Sequence, residues 1–264
     1  MYKSSVIKMN HSKMFSFYIF PNRFHKKPGS WTIAGWHSAG FTLIEMLVVI
    51  VIITVLSGIL IPALVRSRIA AKTVLCQSNL RQWGLALNFY IDEFDGSIPR
   101  RGQGIQPIHK IDRTEDWFNC LPHYVGEKTY QELVSSDSQP EPGDKSIFVC
   151  PSAKDDSEPY FFSYAMNMYL SPWVRPQAHN LVEIPCPANL VFMADAPGPY
   201  SSTVPSKKEY SVVARHGNKA NLVFIDGHIS NYSGEYLGCG TGDPEHRDVR
   251  WKTDSTGINQ STVE

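Results

Sequence analysis

The fold is decided by residues 40–65, which read GFTLIEMLVVIVIITVLSGILIPALV. Leucine, isoleucine and valine dominate this stretch, and it holds no charged residue from Met46 to Ile61. A helix over residues 41–65 would be roughly 37 Å long, which is enough to cross a bilayer. The stretch therefore predicts a membrane-spanning helix with one carboxylate, that of Glu45, near its amino-terminal end.

A carboxylate inside hydrocarbon is costly, by a few kcal/mol near the bilayer centre and by less near the interface. An acidic residue in such a position is therefore read first as functional, and a positively charged partner has to be found for it. Glu45 is the single acidic residue within residues 1–60.

Gly40, Phe41 and the residues TLIE and MLVVI that follow resemble the processing signal of type IV prepilins and type II secretion pseudopilins. The resemblance implies that a membrane enzyme, prepilin peptidase, cleaves between Gly40 and Phe41 and that Phe41 is then N-methylated. It also implies assembly roles for two residues. Glu45 matches the family's assembly glutamate, and Pro62 matches a proline that kinks the helix in many members.

The expected role of Glu45 makes physical sense. Cleavage would leave an ammonium group on Phe41, and the carboxylate of Glu45 in one helix can meet the ammonium of an adjacent copy. Such a pair in low dielectric adds little stability, but it selects the register between helices. The alternative is an ordinary signal anchor in which Glu45 merely lies at the interface.

Charge is balanced over the 264 residues, with 25 Lys+Arg and 25 Asp+Glu, so no overall basic field favours nucleic acid as a partner. Residues 1–40 contain six Lys or Arg and no acidic residue. The positive-inside rule keeps this leader cytoplasmic and exports the chain beyond the helix. A cleavable secretory signal would need a shorter apolar core, of about 7–15 residues, followed by a small-residue cut site. Initiation at Met1, Met9 or Met14 stays open.

The chain divides into a cleaved leader (1–40), a helical segment (41–95, with the membrane span at about 43–65) and an exported domain (96–264). The helix is expected over residues 42–93, because a three- and four-residue apolar spacing continues past Pro62, which should bend the helix rather than end it. This apolar stripe consists of Leu80, Trp83, Leu87, Ile91 and Phe94.

Beyond the helix the pattern predicts two short helices, at 116–124 and 127–134, within an irregular stretch, and then a series of strands. The strands are expected at residues 146–150, 160–164, 189–195, 209–214, 220–225 and 228–232. Asp226 and Gly227 separate the last two as a hairpin turn. The fold class is therefore α+β, with the long helix packed on an antiparallel sheet as in pilins. The tail from Glu235 either packs back or frays.

Residues 76–87, 148–152 and 163–167 resemble a prepilin-like subfamily that is often labelled pseudopilin G-like. That subfamily carries an H-X9-DG signature, which His216, Asp226 and Gly227 match here. Cys76 and Cys150 lie in the segments that resemble the subfamily most, so a disulfide between them is favoured. The alternative is that all five cysteines are small buried apolar residues.

The sequence offers little for catalysis. His216 and Asp226 could serve a hydrolase, but each adjoins a turn, and we expect His216 to close a loop by hydrogen bonding to backbone. No Gly-x-Ser-x-Gly elbow is present, so the chain is not predicted to be an enzyme. Pseudopilins often hold calcium in a carboxy-terminal loop, and Asp243, Glu245 and Asp248 are the calcium candidates; no other cofactor is expected.

The resemblance implies a pilin-like or pseudopilin subunit in the cytoplasmic membrane, with its amino terminus inside and its carboxy-terminal domain on the periplasmic side. Its expected partners are prepilin peptidase acting as N-methyltransferase, other copies or related pseudopilins in a filament, and the membrane. The alternative is a membrane-tethered binding module that uses the signal only for export.

Overall fold

A computed structural model describes residues 40–102, 111–153, 162–171, 179–198, 202–203, 211–239 and 246–253. The predicted leader therefore lies outside the described residues, apart from Gly40. The same is true of the first two residues of the strand predicted at 160–164, of which Tyr164 alone lies in a strand among the described residues, and of the first two residues of the strand predicted at 209–214. The chain divides into two units, 1–52 and 53–264, and the fold below is that of the second unit apart from the start of the first helix.

The first helix, α1, runs over Leu43–Glu93 and contains Pro62, so the prediction that the proline does not end the helix is confirmed. From Cys76 onward one side of α1 is buried, including Leu80, Trp83 and Leu87. The prediction that Phe94 belongs to the core is wrong. Phe94 follows the end of the helix and is 47% exposed, and its ring stacks on that of Tyr90 with the ring centroids 4.5 Å apart.

Five strands form one sheet in the order β3-β1-β2-β4-β5. Neighbours among β1, β2, β4 and β5 pair antiparallel, as predicted, while the two-residue strand β3 adds to the edge in parallel with β1. The strand bounds are β1 Tyr164–Asn167, β2 Val191–Asp195, β3 Ser202–Thr203, β4 Lys219–Phe224 and β5 Ile229–Ser233.

Both faces of the sheet are covered. One face packs with α1 in a core that includes Leu80, Trp83, Phe192 and Val223. On the other face Val191, Leu222 and Phe224 are buried with Leu237, Val249 and Trp251. The described part of the carboxy-terminal tail therefore packs back on the sheet, and the fold is the α+β arrangement expected.

The segment at residues 146–150 is not a strand, which corrects the prediction. Its carbonyl groups accept hydrogen bonds from α1 side chains: Asn79 Nδ2 donates to Ser146 O and Val149 O, both at 3.1 Å, and Trp83 Nε1 donates to Ile147 O at 2.9 Å. These bonds dock the segment on the helix and take up carbonyls that a sheet ladder would need.

Residues 211–214 are also not a strand. Val213 N donates one hydrogen bond to Asp195 O at 3.0 Å, and Val212 is buried against the second face of the sheet. The apolar residues that suggested a strand therefore serve to cover the sheet.

Short helices occur where they were predicted, between α1 and the sheet. They are α2 (Trp117–Cys120), a 3-10 helix (Pro122–Val125) and α3 (Tyr130–Ser135). The last begins later than predicted because Thr129 caps it in a reciprocal pair with Glu132, each side chain accepting from the other's backbone N–H. Further 3-10 turns lie at Met168–Leu170, Leu181–Glu183 and Pro187–Asn189.

Candidate functional site: the helix start and the buried cysteine–histidine cluster

The start of α1 is a capping box formed by Thr42 and Glu45. Glu45 Oε2 accepts hydrogen bonds from Thr42 N at 2.8 Å and from Thr42 Oγ1 at 2.7 Å. In return Glu45 N donates to Thr42 Oγ1 at 3.3 Å. The T-x-x-E spacing that carries this motif is visible in the sequence, although the family resemblance implied only an assembly role for Glu45. The side chain of Glu45 therefore also satisfies the backbone N–H of Thr42 at the start of its own helix.

The processing residues are accessible. Gly40 and Phe41 are exposed, and a Cβ atom at Gly40 would meet no atom within 4 Å. From Phe41 to Val65 every residue is exposed except the half-buried Ser57, and Pro62 is among the exposed ones. Among the described residues, α1 is the one helix long and apolar enough to cross a membrane. A continuous apolar surface of this size needs lipid or protein against it.

Cys76 of α1 and Cys150 are joined by a disulfide, with Cα atoms 5.2 Å apart. This is the pair that the family resemblance favoured. Both cysteines are fully buried, and the bond connects positions 74 residues apart. The other cysteines, Cys120, Cys186 and Cys239, are free.

His216 lies beside that disulfide. Its ring Nε2 is 3.4 Å from Cys150 Sγ and 3.5 Å from Asp195 Oδ2, and its Nδ1 is 3.3 Å from Thr73 Oγ1. The backbone N–H of His216 does close a loop, by donating to Lys219 O at 3.0 Å. The expectation that the ring would bond to backbone was wrong, because these three contacts of the ring are all with side chains.

Asp195 is the residue that the sequence analysis missed. It ends the buried strand β2 and is completely buried. Its Oδ2 accepts a hydrogen bond from Asn221 N at 2.7 Å, whereas its Oδ1 is buried without a hydrogen-bond partner. An acidic residue directly after the apolar run VFMA was the available signal, since a carboxylate at the end of a buried strand is rarely left unpaired.

Asp226 belongs to the hairpin turn. Its Oδ1 accepts from His228 N at 3.1 Å and lies 2.6 Å from His228 Nδ1, while Gly227 has a positive φ of 86°. His216 and Asp226 thus have different partners, Asp195 and His228. These two residues therefore lie in separate structural arrangements and do not form an acid–base pair.

The calcium candidates are not brought together by any described contact. Asp243 and Glu245 lie outside the described residues. Asp248 accepts a hydrogen bond from Tyr236 Oη at 2.6 Å, which lowers the pKa of the carboxyl. Burial, and then this bond, raise the pKa of Tyr236 to about 12. The described contacts of Asp248 are therefore those of a surface hydrogen bond.

The comparisons with known proteins bear on the helix start. Residues 37–61 match the family model described as "Prokaryotic N-terminal methylation motif". The match supports a type IV pilin-like chain, a structural subunit of the prepilin class that prepilin peptidase processes, rather than an enzyme. Comparison with curated proteins and with solved structures found no match. The motif and the apolar helix together indicate a membrane-anchored protein.

Proposed function

We propose that the chain is a filament subunit of a type IV pilus-like or type II secretion machine, assembled through its amino-terminal helix. The main support for this proposal is the methylation motif at residues 37–61, which includes much of the exposed apolar part of α1. The exported domain would face outward, with its sheet already covered on both faces.

The exposed surface of α1 supports assembly as well as anchoring. Leu43 is 83% exposed and Ile59 is 72% exposed, although both are large apolar residues. Lipid satisfies this surface while the subunit is stored in the membrane. In a filament outside the membrane the same surface would need the helices of other copies, because water would leave it unfavourably exposed.

The capping box allows Glu45 to serve both its own helix and a neighbour. Both hydrogen bonds from Thr42 use Oε2 of Glu45. The second oxygen, Oε1, is left to accept from the ammonium that hydrolysis of the Gly40–Phe41 bond would create on Phe41 of another copy. A carboxylate can accept at both oxygens at once, so the cap and the pair are compatible.

The partners follow from this scheme. Prepilin peptidase would remove residues 1–40 and methylate Phe41, and the filament contacts would be with other copies or related pseudopilins. The subunit would be stored in the cytoplasmic membrane with its leader inside and its domain on the periplasmic side. The resemblance of His216, Asp226 and Gly227 to the H-X9-DG signature favours a pseudopilin G-like subunit.

The first test is mass spectrometry of the mature protein from membranes. The proposal predicts an amino terminus at N-methylated Phe41. A mature chain that retains residues 1–40, or one that begins elsewhere, would contradict it.

The second test separates the two roles of Glu45 by crosslinking in membranes. Glu45→Ala removes both cap and charge, whereas Glu45→Gln keeps an oxygen that can accept from Thr42 and removes only the charge. We expect both variants to lose crosslinked multimers, with processing at Phe41 measured in parallel. If both variants still multimerise like the wild type, the chain is better described as a tethered binding module.

A further inference from the structure

The most unusual group of side chains in the described structure lies around the Cys76–Cys150 disulfide. Two sulfurs, the Nε2 atom of His216 and the carboxylate of Asp195 lie within 4.8 Å of one another, and all four residues are buried. We propose that, when Cys76 and Cys150 are thiols, these residues bind one thiophilic divalent metal ion such as Zn²⁺.

The donor set suits such an ion. Two thiolates, one imidazole and one carboxylate make a four-coordinate site of the closed type that holds structural zinc. The four ligands come from α1, from the segment docked on it, from the end of β2 and from the turn before β4. They are far apart in sequence, so the absence of a CxxC pair, which counts against a zinc ribbon, does not count against this site.

The separations already match tetrahedral coordination in part. With Zn–N near 2.0 Å and Zn–S near 2.3 Å, a nitrogen and a sulfur ligand lie about 3.5 Å apart, and a nitrogen and an oxygen ligand about 3.3 Å apart. The observed distances from His216 Nε2 are 3.4 Å to Cys150 Sγ and 3.5 Å to Asp195 Oδ2. The two sulfurs, which are bonded here, would have to separate.

Thr73 of α1 positions the ring of His216. The Thr73 hydroxyl donates to Ile69 O at 3.0 Å, and its oxygen lies 3.3 Å from His216 Nδ1. The other ring nitrogen, Nε2, faces the carboxylate of Asp195 and is the atom that would bind the metal ion.

A second observation also indicates a missing ligand. Asp195 Oδ1 is buried and has no hydrogen-bond partner, although Oδ2 accepts from Asn221. A buried carboxylate oxygen without a partner is costly, and a metal ion would satisfy it. Arg215 supplies a neighbouring positive charge, since its guanidinium donates to the carbonyl of Ala196, the residue after Asp195.

Metal binding and the disulfide are mutually exclusive states of the two cysteines. Binding M²⁺ to two thiols forms two M–S bonds and releases two protons. The chain leaves the ribosome with both cysteines as thiols, so they are available to a metal ion until a disulfide forms. Reduction of the disulfide by a water-soluble phosphine restores both thiols: water supplies the oxygen that converts the phosphine to its oxide, and its two protons go to the sulfurs.

The test is a Co²⁺ titration of the full chain in detergent, reduced with a phosphine under nitrogen. We expect one equivalent of Co²⁺ to give thiolate-to-cobalt charge transfer and the intense ligand-field bands of a tetrahedral site, both removed by Zn²⁺. The oxidised chain should show neither. A reduced wild-type chain without this spectrum would overturn the proposal.

Matched variants identify the ligands. Cys150→Ser and His216→Ala should abolish the tetrahedral spectrum or weaken binding at least tenfold, whereas Cys186→Ser, at an exposed free cysteine, should not change it. If the His216→Ala variant forms the Cys76–Cys150 disulfide when it is oxidised, the variant has folded. Thr73→Val should keep the spectrum and raise the dissociation constant, because it only orients His216. An unchanged spectrum in Cys150→Ser would place the ion elsewhere and overturn the assignment.

Discussion

Gly84 of α1 lies directly against Gly227 in the turn between β4 and β5. A Cβ atom at Gly84 would be 3.2 Å from both Cα and O of Gly227, and 3.0 Å from Cγ2 of Val223. At Gly227 a Cβ would meet Asn88 Nδ2 at 3.0 Å, and the positive φ there already favours glycine. The hairpin and the helix therefore meet backbone to backbone, which is the packing reason for a glycine after Asp226.

Gly84→Ala should destabilise the domain. The added methyl would press on backbone atoms that cannot rotate away, and overpacking of this kind costs about 1–3 kcal/mol. The better helix propensity of alanine returns about 1 kcal/mol at most. We expect a lower urea midpoint for the full chain in detergent, followed by tryptophan fluorescence.

Gly58→Ala is the matched control, because it is also a helical glycine and a Cβ there would meet no atom within 4 Å. Its stability should equal or exceed that of the wild type. Equal midpoints for Gly84→Ala and the wild type would mean that the helix and hairpin are not in this close contact.

These contacts show where sequence reasoning succeeds and where it stops. Residues 226 and 227 predict the turn because the conformational preference of Asp-Gly is local. The long helix and strands β2, β4 and β5 were likewise predicted from local periodicity. The partner of Gly227 could not be predicted, since Gly84 is distant in the sequence and no local pattern marks the crossing.

The same limit explains the errors at the candidate site. Residues 146–150 have the composition of a strand, but Asn79 and Trp83 of α1 take their carbonyl groups. The partner of His216 proved to be Asp195 rather than backbone, a long-range contact that apolar periodicity cannot indicate. The capping box at Thr42 is a different case, because its spacing was local and visible.

Loss of the Cys76–Cys150 disulfide should lower the stability of the oxidised chain. The bond closes a loop with a sequence separation of 74 residues, and the loop-entropy relation gives about 4 kcal/mol for such a length, within a usual range of about 2–5 kcal/mol. Cys76→Ser and Cys150→Ser should each lower the thermal midpoint, measured without added metal. Cys186→Ser should leave it unchanged, and a wild type insensitive to reductant would contradict the prediction.

Asp116 should make the stability of the domain depend on pH. Burial raises the pKa of this carboxyl to about 7, with Arg100 and then Arg113 acting in the opposite direction, and both carboxylate oxygens are buried without a hydrogen-bond partner. The folded chain therefore holds a proton that the unfolded chain releases near pH 4. Because the folded state binds more protons, this group makes stability fall as the pH rises from about 4 to about 7, by up to a few kcal/mol.

Asp116→Asn should remove that part of the pH dependence. The amide resembles the protonated carboxyl, so the variant should be close to the wild type at pH 5 and more stable at pH 8. Urea midpoints across this range measure the difference. Asp92→Asn, at an exposed position on α1, should keep the slope of the wild type, and a similar slope in Asp116→Asn would contradict the assignment.

Thr42→Val should loosen the first turn of α1 without removing the charge of Glu45. Valine has nearly the shape of threonine but can neither donate to Glu45 Oε2 nor accept from Glu45 N, so the variant loses two of the three hydrogen bonds of the capping box. Loss of such a cap costs about 1 kcal/mol, which corresponds to about fivefold faster amide exchange where opening is local. Hydrogen exchange of residues 43–46 in micelles measures this, and Thr42→Ser, which keeps the hydroxyl, should exchange like the wild type. If Thr42→Val also exchanges like the wild type, the cap does not hold the helix start in place, and the whole carboxylate of Glu45 would be available to a neighbouring amine.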